Sequence, residues 1–268
     1  MSRIYTLMRA KQRDRRHLLR GAVAAAGAAV LTGCDRLSHN EAFVDVLKSA
    51  QNLSHAAGRI VAPKSAMAQE FAPADVAPSF RGNGTLDPAD ADYVTLKTSG
   101  FVDYKLKVGG LVEAPAEFTL EQLRAMPSRT QITRHDCVEG WSCIGKWKGV
   151  QLSLLLDQVR PTAEAKYVVF RCFDSMDGPN LDGKDSRYYE SIALDEAHHA
   201  QTILAYDLND KTLPVINGAP LRCRVERQLG YKQAKYVRAI ELVASFAAIR
   251  GGKGGYWEDE GYEWYGGI

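Results

Sequence analysis

Arg134-His135-Asp136-Cys137-Val138-Glu139-Gly140-Trp141-Ser142 is the stretch on which the reading of this chain turns. It sets one cysteine among charged side chains, beside a histidine and a tryptophan. A thiolate is a soft donor suited to a soft metal centre, and a metal-bound thiol is held deprotonated. Read alone, the stretch also allows a buried free thiol or a disulfide to Cys143. The remaining cysteines stand at 34, 172 and 223, and spacing by itself pairs none of them. No C-x2-C or H-x3-H pair occurs, so a zinc site lacks its usual ligands. His198 and His199 are neighbours, which is poor geometry for joint ligation and fits a solvated helix end.

Outward from that stretch, the 268 residues are 46% hydrophobic and 25% charged, an ordinary globular composition. That length supports one sizeable core or two small ones. The net charge of +2 and the lack of a basic patch interleaved with aromatics argue against a nucleic-acid partner. The apolar run Gly21–Leu31 is too short for a membrane span, which needs about 20 apolar residues. It fits the h-region of a signal peptide behind an Arg- and Lys-rich start.

From Asp35 to about Asp92 the chain is rich in Ala, Ser, Pro and Gly, and residues 41–57 carry weak helical periodicity. Pro73, Pro78, Gly82 and Gly84 break longer elements, so 34–92 reads as a tether and approach segment. Beyond it, 104–108 alternates as a half-buried strand ending at Gly109-Gly110. Residues 120–126 predict a short helix capped by Thr119 with Glu121 in its first turn, and 150–159 an amphipathic helix. Residues 167–170, 203–206, 221–225 and 236–243 read as strands. Strands and helices out of strict alternation predict an α+β fold.

The N-terminal run Asp14-Arg15-Arg16-His17-Leu18-Leu19-Arg20 resembles a twin-arginine export signal, which a translocase of folded proteins reads. Leu31-Thr32-Gly33-Cys34 resembles a lipobox. The expectation is a signal over 1–33 and a periplasmic protein, lipid-anchored to the inner membrane if Cys34 is acylated.

The opening stretch resembles the molybdenum-ligand segment of the sulfite oxidase superfamily. It is especially similar to the branch of protein-methionine-sulfoxide reductases, in which Cys-Val-Glu, a small residue, Trp and Ser follow in this order. Trp147-Lys148-Gly149-Val150, Asn217-Gly218-Ala219-Pro220-Leu221-Arg222, Gly230-Tyr231-Lys232-Gln233-Ala234-Lys235-Tyr236 and Arg187-Tyr188-Tyr189-Glu190 continue the resemblance over most of 93–268. The tail Tyr256-Trp257-Glu258-Asp259-Glu260-Gly261-Tyr262 resembles the piece that follows the superfamily's catalytic domain. The resemblance implies a mixed, largely β molybdopterin-binding catalytic domain over 93–268, with short helices and one molybdenum–molybdopterin per chain. It implies Cys137 as the protein's ligand to molybdenum and Tyr188, Glu139 and Arg134 as catalytic side chains. It implies Asn217, Arg222, Lys232, Gln233, Ala234, Lys235 and Cys172 around the pterin. An arginine fork suits a phosphate. A phenol can donate to an oxo ligand or to a substrate oxygen.

Two departures stand out. Asp136 replaces an arginine of the reductase branch, and an acid beside the metal disfavours anions such as sulfite. Cys172 replaces a pterin-contacting threonine. The resemblance implies two-electron oxygen-atom transfer, with reduction of sulfoxides or related S- and N-oxides ahead of sulfite oxidation. Electrons would pass to or from a membrane-bound or periplasmic carrier, haem-containing or quinone-linked, and the chain is read as a monomer. The reading from another class is a cofactor-free periplasmic lipoprotein that binds a partner. A twin-arginine signal speaks against it.

Overall fold

Lys105-Leu106-Lys107-Val108 alternates polar and apolar side chains. The computed structural model buries Leu106 and Val108 and leaves both lysines outside. It describes residues 65–176 and 186–268, together with 40, 42, 43 and 46. Arg15, Arg16 and Cys34 lie outside the described residues. Of the helix expected over 41–57, only Ala42, Phe43 and Val46 are described, and they are helical. The chain falls into two units, Met1–Pro63 and Lys64–Ile268, and the second holds every element below.

Strand β1 (Lys105–Gly110) runs parallel to β10 (Val237–Val243) and antiparallel to β2 (Ala116–Thr119). With β5 (Tyr167–Ser175) and β6 (Arg187–Ala193) they form a sheet of order β2-β1-β10-β5-β6. A second sheet has the order β3-β4-β7-β8, from β3 (Ser128–Asp136), β4 (Ser142–Gln151), β7 (Ile203–Leu208) and β8 (Lys211–Thr212). Strand β9 (Arg222–Arg224) pairs with β7. Short helices connect them: α1 (Ala91–Thr98), α2 (Leu120–Ala125), α3 (Leu152–Val159), α4 (Leu194–Ala197) and α5 (Tyr256–Asp259). The fold is the expected α+β class.

Helix α2 starts where the capping signal put it. Thr119 Oγ1 accepts from the Gln122 amide, and the Gln122 side chain accepts from the Thr119 amide, a reciprocal capping box. Helix α3 starts two residues later than predicted. Val150 and Gln151 finish β4, paired with Leu204 and Ile203. Leu152, Leu155, Leu156 and Val159 are fully buried along one face, the i, i+3, i+4, i+7 stripe of a packed helix.

The β3–β4 hairpin was hidden from periodicity. The buried face of β3 carries Gln131, Thr133 and His135 rather than apolar side chains. Those groups face a buried polar network. Gln131 Nε2 donates to Glu226 Oε1 at 2.7 Å, and Arg224 donates to both Glu226 oxygens at 2.9 and 2.7 Å. Arg224 is fully buried and lies over the Trp147 ring at 4.3 Å.

Residues 65–92, expected as an approach segment, run against the second sheet. Glu70 bridges to Thr133, and the Phe71 and Ala77 amides donate to Ile132 and Ile144 carbonyls. The segment ends in α1, whose N-cap Asp90 accepts from the Asp92 and Tyr93 amides.

Removing the carboxylate from this network leaves a guanidinium buried without its counter-charge. Glu226→Ala is expected to destabilise the domain by about 3–5 kcal/mol, seen in urea unfolding as a shifted midpoint with the slope retained. A midpoint within error of wild type would show that Arg224 is held by other partners.

Candidate active site

The Cys137 loop is the tip of the β3–β4 hairpin. The Cys137 amide donates to the Trp141 carbonyl at 2.9 Å, and the Gly140 amide to the Cys137 carbonyl at 3.0 Å. Closing the turn puts residue 140 at φ +83°, a backbone region that glycine occupies without steric cost. The small residue in the motif is therefore a backbone requirement. The turn presents the Cys137 thiol, half-buried, to a cavity of about 260 Å³.

That cavity gathers Cys137, Glu139, Tyr188, Arg222, Gln233 and Lys235 from distant parts of the sequence. Asn83 Nδ2 donates to the Cys137 sulfur at 3.5 Å. Burial pushes the Cys137 thiol up, against the Glu139 amide and the cations Arg81 and Arg222. Glu139 is exposed at the mouth and accepts from Trp141 Nε1 at 3.0 Å.

The inner end is cationic. Arg222 is buried, donates through Nη1 to the Asn217 carbonyl at 3.2 Å, and leaves Nε without a partner. No carboxylate pairs with it among the described residues. Burial and the neighbouring Arg224 pull its guanidinium down to about 9. Lys235 donates to the Asn83 and Thr85 carbonyls. Burial and Arg222 lower its ammonium, with Asp174 opposing. Asp174, at the end of β5, is raised by burial and keeps one oxygen unbonded. His135 is held neutral by burial and by Arg222 and Arg224. Its Nδ1 faces both Arg224 Nη1 at 3.1 Å and Gln233 Oε1 at 3.2 Å. A Cβ at Gly230 would stand 2.5 Å from that ring, so only glycine fits the cradle.

These features fit an anionic cofactor with many hydrogen-bonding edges. A buried guanidinium without a counter-charge is costly until an anion meets it. The unbonded Arg222 Nε and Asp174 oxygen supply a donor and an acceptor, and Cys137 supplies a soft sulfur to the same cavity.

Other predicted residues fall elsewhere. Arg134 pairs with Asp136 at 2.8 Å, and both border a separate depression with Thr133 and Phe71. Ser142 also donates to Asp136. The expected negative charge of Asp136 beside the metal is therefore directed away from Cys137 and offset by Arg134. Lys232 is fully buried between Glu190 and Glu258, so its ammonium is taken up inside the protein. Asn217 turns its amide to the Phe80 carbonyl at 3.4 Å and reaches Arg222 only through its backbone. Ala234 and Cys172 are core residues that do not line the cavity. Tyr188 does line it, but its hydroxyl donates to the Tyr231 carbonyl, so the expected donor faces the backbone.

Sequence reasoning missed Arg81, Asn83 and Thr85, which the approach segment contributes, and Asp174, Met176, Trp257 and Tyr262. His135 and Trp141 lay inside the decisive stretch without a role. Two signals were available: a charge ending the apolar run of β5, and polar residues interleaved with glycines in Arg81-Gly82-Asn83-Gly84-Thr85.

The family model described as oxidoreductase molybdopterin binding domain matches residues 94–247. A protein of Azospira oryzae, provisionally named subunit YedZ1 of a protein-methionine-sulfoxide reductase, is 33% identical over 253 residues, 94% of this chain and 87% of its own length. The protein-methionine-sulfoxide reductase catalytic subunit MsrP of Xanthomonas axonopodis is 37% identical over 166 residues, 60% of this chain and 50% of its own length. The chain thus spans about half the length of the MsrP subunit it matches. The sulfane dehydrogenase SoxCD from Paracoccus pantotrophus superposes with a TM-score of 0.48 and 23% identity, covering 56% of this chain and 40% of that one. The chain belongs to the oxidoreductase molybdopterin-binding family of the sulfite oxidase type, and it is a molybdopterin-dependent oxidoreductase.

Proposed function

We propose that this chain reduces sulfoxides, methionine sulfoxide in proteins foremost, with electrons from a membrane-bound or periplasmic carrier that is haem-containing or quinone-linked. The likeness over 94% of the chain to a protein named for methionine-sulfoxide reduction carries the substrate reading. The geometry agrees with it. The mouth of the cavity holds one cation, Arg81, and one anion, Glu139, both against Trp141. A neutral, polarisable substrate meets no net repulsion there, and a sulfite dianion meets no net attraction.

In this reading Cys137 is the protein's thiolate to molybdenum. Arg222, Gln233 and Lys235 receive the anionic and hydrogen-bonding edges of the pterin. The bound cofactor supplies two-electron oxygen-atom transfer. The overall change takes one sulfoxide, two electrons and two protons to one sulfide and one water. Asn83 holds the sulfur of Cys137 in place, and Tyr188 fixes the 230–232 loop through the Tyr231 carbonyl.

We also propose export through the twin-arginine route to the periplasm, with lipid on Cys34. A cofactor inserted in the cytoplasm requires export after folding. Arg15→Lys combined with Arg16→Lys should then leave folded, molybdenum-containing protein in the cytoplasm. Unimpaired export of the double variant, scored by cell fractionation, would remove this part of the reading.

Protein matured in a cofactor-making host should carry about one molybdenum per chain, since one thiolate completes one site. Cys137→Ser should abolish turnover with a reduced dye as donor. Cys143→Ser should stay near wild type, because Cys143 lies outside the cavity, packed beside the Phe80 cluster with its thiol toward the Ser79 carbonyl at 3.7 Å. Equal activity in the two variants would show that the ligand is misassigned. In stopped flow, methionine sulfoxide should reoxidise the reduced enzyme faster than sulfite reduces the oxidised one. The opposite order would make the chain a sulfite dehydrogenase.

A further inference from the structure

Four partly exposed rings line the cavity as an aromatic wall: Trp141, Tyr231, Trp257 and Tyr262. Trp257 stacks on Tyr262 with centroids 5.3 Å apart, and Tyr262 meets Tyr231 edge-on at 5.4 Å. Two of the polar handles are already engaged. Trp141 Nε1 donates to Glu139, and the Tyr231 hydroxyl donates to the Glu263 carbonyl at 2.8 Å. Those two rings therefore offer the cavity their faces and edges. Tyr262 is 40% exposed and Val138, on the Cys137 turn, 42% exposed.

The chain holds this wall rigidly. The Tyr262 amide donates to the Trp257 carbonyl at 2.9 Å, and the Leu229 amide to the Gly266 carbonyl at 2.7 Å. Gln228 bridges to Gly267, and buried Lys232 ties Glu258 of α5 to Glu190 of β6. A fixed, half-exposed aromatic surface at the mouth of a polar cavity is a preformed subsite for an apolar group. The alkyl chain of a sulfoxide is a fitting occupant, because its methylene groups gain by leaving water for the apolar ring surface.

We propose that this wall is the subsite for the alkyl substituents of the substrate sulfur. It directs the sulfoxide oxygen toward Cys137, and it sets a preference for sulfoxides with long alkyl chains over dimethyl sulfoxide. The proposal rests on the sulfoxide-reductase reading, and its test includes a binding measurement that turnover does not enter.

The holoenzyme and its Trp257→Ala, Trp257→Phe and Tyr262→Ala variants are compared for three quantities. These are molybdenum per chain, steady-state constants for N-acetylmethionine sulfoxide amide and for dimethyl sulfoxide, and calorimetric affinity for the unreactive N-acetylmethionine sulfone amide. Trp257→Ala should raise KM for the methionine sulfoxide derivative and weaken sulfone binding about tenfold. It should leave kcat and molybdenum content within about twofold and raise the dimethyl sulfoxide KM by a smaller factor, since two methyl groups cover less of the wall. Trp257→Phe should recover most of the loss, and Tyr262→Ala, at a more exposed position, should repeat the effect in smaller measure. Molybdenum loss in a folded alanine variant would overturn the proposal, because the rings would then hold the cofactor. Unchanged constants, or equal losses for both substrates, would overturn it as well. Should the wild type reduce neither sulfoxide, the sulfoxide reading fails, and the sulfone titration alone decides the subsite. If Trp257→Ala does not fold, Tyr262→Ala carries the comparison.

Discussion

Two guanidinium groups set two residues apart on β9 share one tryptophan. Arg222 lies 5.3 Å and Arg224 4.3 Å from the centroid of Trp147, and Trp147 is itself fully buried. Arg224 is neutralised inside the protein by the two oxygens of Glu226. Arg222 has no such carboxylate among the described residues and ends on the cavity. A buried cation without a partner costs several kcal/mol, and a protein carries that cost where a ligand removes it. The same packing that builds the second sheet therefore leaves one charge uncompensated, at the inner end of the cavity. His135, held neutral beside both arginines, and Gly230, pressed against the histidine ring, follow from that arrangement.

The cavity is assembled from segments far apart in the chain. The approach segment brings Arg81, Asn83 and Thr85, the hairpin brings Cys137 and Trp141, and the tail brings Trp257 and Tyr262. Lys232 explains how the tail stays in place. It sits beside the cavity-lining residues Gln233 and Lys235 in sequence, yet its ammonium lies between Glu190 and Glu258. Burial raises Glu190 well above the ordinary carboxylate range, with Lys232 opposing and Glu258 reinforcing. Lys232 meets both carboxylates at a point fully shielded from water, where fixed geometry is worth most. That strut couples the loop carrying Gln233 to the helix carrying Trp257.

Much of the architecture was legible because burial there follows simple periods. Strand β1 alternates, α3 shows a helical stripe, and Thr119 with Gln122 marks a helix start. The hairpin that presents Cys137 was not legible by period, since β3 buries Gln131, Thr133 and His135. Polar residues on a buried face read as loop unless their partners are known, and here the partners lie about ninety residues away on and beyond β9. The decisive stretch was found by residue type instead. The same limit explains Lys232 and Asn217. A basic or amide side chain in a matched block looks like a ligand contact, and only packing shows that Glu190 and Phe80 have taken it up.

Asp136 is the sharpest instance of adjacency misleading an electrostatic argument. One unit charge acting on another at about 6 Å in an effective dielectric near 20 is worth about 2–3 kcal/mol, enough to decide between an anionic and a neutral substrate. Alternation along β3 sends Asp136 to the face opposite His135, where Arg134 pairs with it and Ser142 donates to it. A charge so offset, on the far side of the sheet, exerts little of that repulsion at Cys137. The field at the mouth comes from Arg81 and Glu139, which carry opposite signs on one indole ring. Charge alone then separates a sulfite dianion from a sulfoxide only weakly. In the proposed sulfoxide reading, discrimination passes to the shape and apolar surface of the aromatic wall, which the alkyl groups of a sulfoxide can use and a bare oxyanion cannot.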